Sequence, residues 1–118
     1  NDTATTEIYT LSLHDALPIS ASNYSLFTFD ILVAARRTDA VGGGAGYRVI
    51  GVIKKDATNA STTFVGTPSK TIIGETDGPW DVSVVADTTN GSLRVNVVGQ
   101  TGKTIRWVAT VRTTEVTN

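Results

Sequence analysis

The 118-residue chain has no cysteine and no methionine, and its one histidine is His14. Without cysteine it offers no disulfide, no thiolate zinc ligand and no cysteine nucleophile. A Ser-His-Asp arrangement would depend on His14 alone. These absences remove the commonest hydrolytic and zinc-binding classes, and they leave the redox compartment undetermined.

The chain is also poor in strong helix formers and in long apolar runs. Thr, Val, Gly and Ala dominate, while Leu, Glu and Lys are sparse, a balance that disfavours long helices. No apolar run approaches the roughly 18–20 residues of a membrane-spanning helix. The composition favours a β-rich domain and predicts no transmembrane segment.

Residues 1–19, NDTATTEIYTLSLHDALPI, match the first-frame translation of a short-read sequencing adapter oligonucleotide without a gap. The stretch lacks the basic region, apolar run and cleavage site of a signal peptide. We interpret residues 1–19 as a non-native leader and 20–118 as a fragment of a longer protein. We expect residues 1–6 to be disordered or poorly defined and any order in 7–19 to be opportunistic, because 7–13 alternates like a strand.

Residues 20–118 have a length that suits one domain with one modest core. Of the chain's 11 acids, three lie in residues 1–19, which contain no Lys or Arg, so eight acids and ten bases remain. This near balance indicates neither a nucleic-acid partner nor a membrane-surface partner.

Seven segments alternate apolar and polar residues and are separated by turn residues. They cover 24–37, 47–55, 62–66, 69–74, 80–87, 93–98 and 105–111. Asn90-Gly91 tolerates the positive φ of a tight hairpin and predicts one between the fifth and sixth strands. The spacing predicts an all-β, antiparallel β-sandwich or jelly-roll-like domain of about seven strands.

Four stretches carry a resemblance to a known family: 35–39 (ARRTD), 80–84 (WDVSV), 86–91 (ADTTNG) and 102–109 (GKTIRWVA). Over most of 24–116 the chain resembles β-rich domains of tail-fibre and tailspike proteins of tailed bacteriophages. The resemblance implies a virion tail component, homotrimeric, with a structural or receptor-facing role. It implies no catalytic residue; a host surface glycan and a neighbouring tail protein are both open as partners.

Trp80, Trp107 and Tyr47 are the aromatic candidates for a ligand site. A flat indole face can stack on a sugar ring, but both tryptophans are in phase with the apolar side of their strands. Core packing is therefore the alternative for each, with the indole N–H finding a partner near a sheet end. Tyr47, beside the 42–46 glycine run, is open to both interpretations.

Arg36, Arg37 and Asp39 lie where the first long strand meets the glycine run. Guanidinium groups recognise carboxylates in fixed geometry, so these residues predict a ligand or inter-subunit clamp. The alternative is a solvated strand end with local Arg–Asp pairing. Arg94 and Arg106 are expected on outward faces of neighbouring strands, pairing with Asp81 or Asp87.

Asp77, Asp81 and Asp87 match no calcium-loop spacing, and no signature supports a carboxylate pair for glycoside hydrolysis. We therefore predict no metal, no cofactor and no enzymatic activity. A phage tail domain is the first hypothesis, and a bacterial carbohydrate-binding or adhesin module is the alternative. A trimer burying Val85 or Val98 favours the first, whereas a monomer with a groove walled by Trp80 or Tyr47 favours the second.

Overall fold

The computed structural model describes residues 2–11, 16–76 and 78–117. These residues form nine strands and one short 3-10 turn, η1, at Asn59–Ser61. The strands are β1 Asp2–Leu11, β2 Ala16–Ser20, β3 Ser25–Arg37, β4 Gly44–Lys55, β5 Thr63–Phe64, β6 Ser69–Glu75, β7 Asp81–Asp87, β8 Ser92–Val98 and β9 Ile105–Thr117. No helix in the described part of the chain is long and apolar enough to cross a membrane.

Two antiparallel sheets build the domain, as the sequence predicts. The six-stranded sheet has the order β1-β9-β3-β4-β5, with β6 also pairing with β4. The three-stranded sheet has the order β2-β8-β7. Seven of the strands, β3 to β9, lie beyond residue 20 and match the seven predicted segments. The all-β fold class is confirmed.

The first residues of the chain form an extended backbone that pairs with the last strand. Asp2–Leu11 forms β1 and pairs along β9, with Asp2 opposite Val116 and Leu11 opposite Trp107. A free strand edge presents backbone groups to any extended segment, because ladder hydrogen bonds do not depend on side-chain identity. Residues 2–6 thus have an extended, paired backbone, and the interpretation of 1–19 as a non-native leader stays a prediction; residues 1 and 12–15, with His14, lie outside the described residues.

The core lies between the inner faces of the sheets and follows the period-2 pattern. In β3 the inward side chains from Ser25 to Ala35 alternate with exposed or half-buried ones. The largest fully buried side chains are Trp80, Trp107, Tyr47, Phe29, Ile31, Ile53 and Leu93. Burial of this alternating apolar set is what holds the two layers together.

The connection after β8 is where the fold departs most from a simple succession of hairpins. β7 and β8 form the predicted hairpin, with Val84 opposite Val95. β9 then crosses to the other sheet, where it pairs with β3, the first strand of the seven. Arg94 and Arg106 are therefore not on neighbouring strands, which corrects that expectation.

Candidate functional site

The predicted aromatic candidates are buried in the core. Trp107 stacks on Tyr47 with ring centroids 6.4 Å apart, and Trp80 packs against Trp107 at 6.1 Å. None of the three is more than 1 % exposed. Trp80 Nε1 donates a hydrogen bond to Gln100 Oε1 at 3.2 Å. Core packing, the alternative given for both tryptophans, is what the structure shows, so no indole face is available for stacking on a sugar.

Tyr47 carries its polar atom at the margin of the core. Its hydroxyl donates to the Glu75 Oε2 carboxylate oxygen on β6. Burial, followed by this contact and the Glu75 charge, raises the pKa of Tyr47. The phenol therefore stays protonated and acts as a donor across the β4–β6 edge, which is a structural role.

Arg37 and Asp39 form a local ion pair, with Arg37 Nε 2.6 Å from Asp39 Oδ1. The Arg37 hydrogen bond holds the pKa of Asp39 below its usual value. This local Arg–Asp pairing at a solvated strand end is the alternative that the sequence analysis gave to a ligand clamp. Arg36 points to the opposite face of β3, where its direct cross-strand partner is Arg106. The three candidates therefore do not converge on one clamp.

Asp81 and Asp87, at the two ends of β7, each have a separate cationic partner. Lys70 Nζ lies 2.6 Å from Asp81 Oδ1 and links β6 of one sheet to β7 of the other. Arg94 lies 2.6 Å from Asp87 Oδ2, which confirms that predicted pair. Asp77 lies outside the described residues. Within the described residues no three His, Cys, Asp or Glu side chains lie together as a metal site.

Asp87 organises the β7–β8 hairpin loop. Its Oδ1 accepts hydrogen bonds from the backbone N–H groups of Thr89 and Asn90, and its Oδ2 accepts from Asn90 Nδ2 and Arg94. Gly91 follows at φ +65°, as the Asn-Gly pattern predicts. The Asn90 side chain first, then the backbone N–H groups and the Arg94 charge lower the pKa of Asp87.

Lowering the pH should destabilise the fold through these carboxylates. The pKa values of Asp30, Asp39 and Asp87 are all held below the model-peptide value of 3.8. Their contribution is therefore complete above that value and is lost as the pH falls through the depressed folded values. We expect the urea midpoint to fall between about pH 4 and pH 2, as followed by circular dichroism.

Asp87→Asn is the control for this pH effect, because it removes one of the titrating groups. Measured against its own midpoint at neutral pH, the variant should lose less on acidification than the wild-type chain. An identical acid-induced loss in both proteins would contradict the role given to Asp87.

The outer face of the six-stranded sheet carries a depression of about 410 Å³. Leu32 and Ile73, 52 % and 60 % exposed, provide its apolar part. Beside them Arg48 donates two hydrogen bonds of 3.1 and 2.7 Å to the Asp30 carboxylate. These hydrogen bonds are the main cause of the lowered pKa of Asp30, and the charges of Arg48 and Arg112 add to the effect. The sequence showed the alternation that sends Leu32 outward, but not the bulge in the β4–β6 pairing near Gly46 and Tyr47.

Two phage tailspike proteins are among the solved structures similar to this chain. No protein-family model matches this chain, and no curated protein matches it. The tailspike protein gp49 of Acinetobacter baumannii bacteriophage Fri1, a capsular polysaccharide depolymerase, is 15% identical over 94% of this chain and 17% of its own, with a TM-score of 0.48. The tailspike protein of Acinetobacter phage vB_ApiP_P1 is 17% identical over 93% of this chain and 21% of its own, with a TM-score of 0.37. The chain thus spans about a fifth of each of these proteins, and neither similarity establishes its function.

Proposed function

We propose that this chain is a non-enzymatic structural and interaction domain of a phage tail-fibre or tailspike-like protein, located in the virion tail. The phage assignment rests on the resemblance carried by 35–39, 80–91 and 102–109. In this proposal the domain assembles as a homotrimer and faces either a host surface glycan or a neighbouring tail protein.

The interaction role rests on a contrast between two sets of side chains. The aromatic candidates are buried in the core, whereas several aliphatic side chains are exposed on the outer faces of both sheets. Trp80 and Tyr47 are at most 1 % exposed, so they cannot wall a sugar-binding groove. Large apolar side chains instead face outward on both sheets: Leu32 and Ile73 on the six-stranded sheet, and Val85 and Val98, 43 % and 41 % exposed, on the three-stranded sheet. Leu32 and Ile73 line one depression, and exposed apolar groups that lie together are typical of contact surfaces.

This contrast favours the tail-domain hypothesis over the carbohydrate-binding or adhesin module. The groove expected for that module is walled by Trp80 or Tyr47, and both side chains lie inside the core. A homomeric contact needs only apolar surface with its charges already paired. The Asp30–Arg48 pair meets that condition locally, beside Leu32 and Ile73.

Sedimentation equilibrium of the full chain tests the proposal. We expect a trimer, three times the 12.4 kDa chain mass. Two double variants, Val85→Ser with Val98→Ser and Leu32→Ser with Ile73→Ser, each remove the exposed apolar side chains of one sheet. The double variant whose residues lie between chains should weaken trimer association by about tenfold or more. The other double variant serves as its matched control.

A chain that stays monomeric over the whole accessible concentration range would overturn the trimer. A trimer that neither double variant weakens would overturn the apolar contact. Circular dichroism of each variant separates loss of assembly from loss of the fold, because these side chains are exposed and their truncation leaves the core intact.

A further inference from the structure

Two arginines of neighbouring strands face each other directly on the outer face of the six-stranded sheet. Arg36 of β3 and Arg106 of β9 are register partners, and both are exposed. Direct cross-strand partners have Cβ atoms about 4.5–5.5 Å apart. Two guanidinium groups are therefore held within reach of one small ligand.

Neither of these arginines has an acidic partner among the described residues. The other four of the chain's six arginines lie near carboxylates. Arg37 pairs with Asp39, Arg48 with Asp30, and Arg94 with Asp87. The Arg112 charge contributes to lowering the pKa of Asp30. The positive charge of Arg36 and Arg106 is thus uncompensated within the described part of the chain.

Like charges placed directly opposite each other in a sheet destabilise it. A fold that needed only a solvated strand end would be more stable with one of these arginines replaced by a neutral residue. The pair is therefore better explained by what it binds than by what it contributes to folding.

The described neighbours of the pair carry small side chains or none. Gly44 of β4 is the other direct partner of Arg36 and carries no side chain. Thr76 fixes the Gly44 backbone, its Oγ1 accepting from Gly44 N at 2.8 Å and donating to Gly44 O at 3.1 Å. Ala34 and Val108, partners two residues along on the same face, are small. A ligand can therefore approach both guanidinium groups from solvent.

We propose that Arg36 and Arg106 form a binding site for one oxyanion, a carboxylate or a phosphate group of a ligand. Planar guanidinium forks donate paired N–H groups to such oxygens, and an anion between the two forks removes their mutual repulsion. Arg37 and Asp39 take no part, because they pair with each other. The site goes beyond the proposed function and does not depend on trimer formation.

Nuclear magnetic resonance titration of the full chain tests the site through the arginine Nε–H signals. The probes are glucuronate for a carboxylate, inorganic phosphate for a phosphate group, and glucose as the neutral control. We expect saturable shifts of the Arg36 and Arg106 signals with an anion and none with glucose. The anion that binds with the higher affinity shows whether the site recognises a carboxylate or a phosphate group.

Arg36→Gln, Arg106→Gln and Arg112→Gln make the test specific. Arg112 lies on the same strand and face as Arg106, so its variant matches the change in charge. The first two variants should weaken anion binding by about tenfold, and Arg112→Gln by less than about twofold. Without anion, the first two should also melt at the same temperature as the wild type or higher, which a stabilising structural role would not allow.

The absence of saturable shifts with either anion would overturn the site. An equal loss of binding in Arg112→Gln would also overturn it, since that result would indicate general charge attraction. If the chain forms a trimer but binds no anion, only the anion site is wrong. If it stays monomeric but binds an anion, only the trimer is wrong. The two proposals can therefore be tested separately.

Discussion

Trp107→Ala is expected to lower the free energy of unfolding by about 3–5 kcal/mol, the usual cost of removing a buried large aromatic side chain. Trp107 is fully buried between Tyr47 and Trp80, with which it makes ring contacts at 6.4 and 6.1 Å. Small domains are stable by only about 5–15 kcal/mol, so the variant should lose a large fraction of the total stability. Urea denaturation followed by circular dichroism measures the loss.

Phenylalanine substitutions at the two tryptophans separate packing from hydrogen bonding. Trp80 Nε1 donates to Gln100, whereas buried Trp107 Nε1 has no partner among the described residues. Both substitutions remove similar volume, but only Trp80→Phe also removes a hydrogen bond. Trp80→Phe should therefore cost about 1 kcal/mol more than Trp107→Phe. Equal costs would contradict the difference assigned to the two indole N–H groups.

Gly51→Ala is expected to destabilise the fold by about 1–3 kcal/mol, the range for overpacking a core. Gly51 of β4 is the direct partner of Phe29 of β3. A Cβ atom at Gly51 would lie 2.5 Å from Phe29 Cζ, closer than real contacts allow. The Phe29 ring is 1 % exposed and lies against Phe64 at 6.1 Å, so it has little room to move away. Chemical denaturation measures the change.

Gly46→Ala is the matched control on the same strand. A Cβ atom at Gly46 would meet its nearest atoms, Val33 O and Ile73 Cβ, at ordinary distances of 3.8 and 3.9 Å. That variant should be neutral or gain up to about 1 kcal/mol, because alanine loses less backbone entropy than glycine. If both variants lost the same stability, the steric explanation for Gly51 would be wrong.

The strands themselves could be predicted because their information is local. The inward side chains of β3 from Phe27 to Val33 and the burial of Trp80 follow from a period of two residues. The β7–β8 hairpin follows from Asn90-Gly91, since that dipeptide accepts the backbone angles that the turn requires. In each case the deciding residues lie within a few positions of one another.

The pairing of strands far apart in the sequence could not be predicted in the same way. β9 has the same alternation whether it lies beside β8 or beside β3. Its pattern therefore did not exclude the expectation that Arg106 lies on a strand next to that of Arg94. The 99–104 connection carries β9 to the other sheet, and only there does Arg106 meet Arg36. For the same reason the sequence analysis grouped Arg36 with Arg37 and Asp39, which are close to it in the chain. In the structure Arg36 faces Arg106, whereas Arg37 pairs with Asp39.

The amino-acid sequence by itself determined that this chain forms extended, two-sided strands joined by tight turns, and which side of each strand is apolar. The tertiary structure decided how those strands divide between two sheets, and hence which charged side chains share an outer face. The physical reason is that alternation fixes the direction of a side chain relative to its own strand. Its neighbour across the sheet is chosen by backbone hydrogen bonds and by how well the two apolar faces fill the space between them.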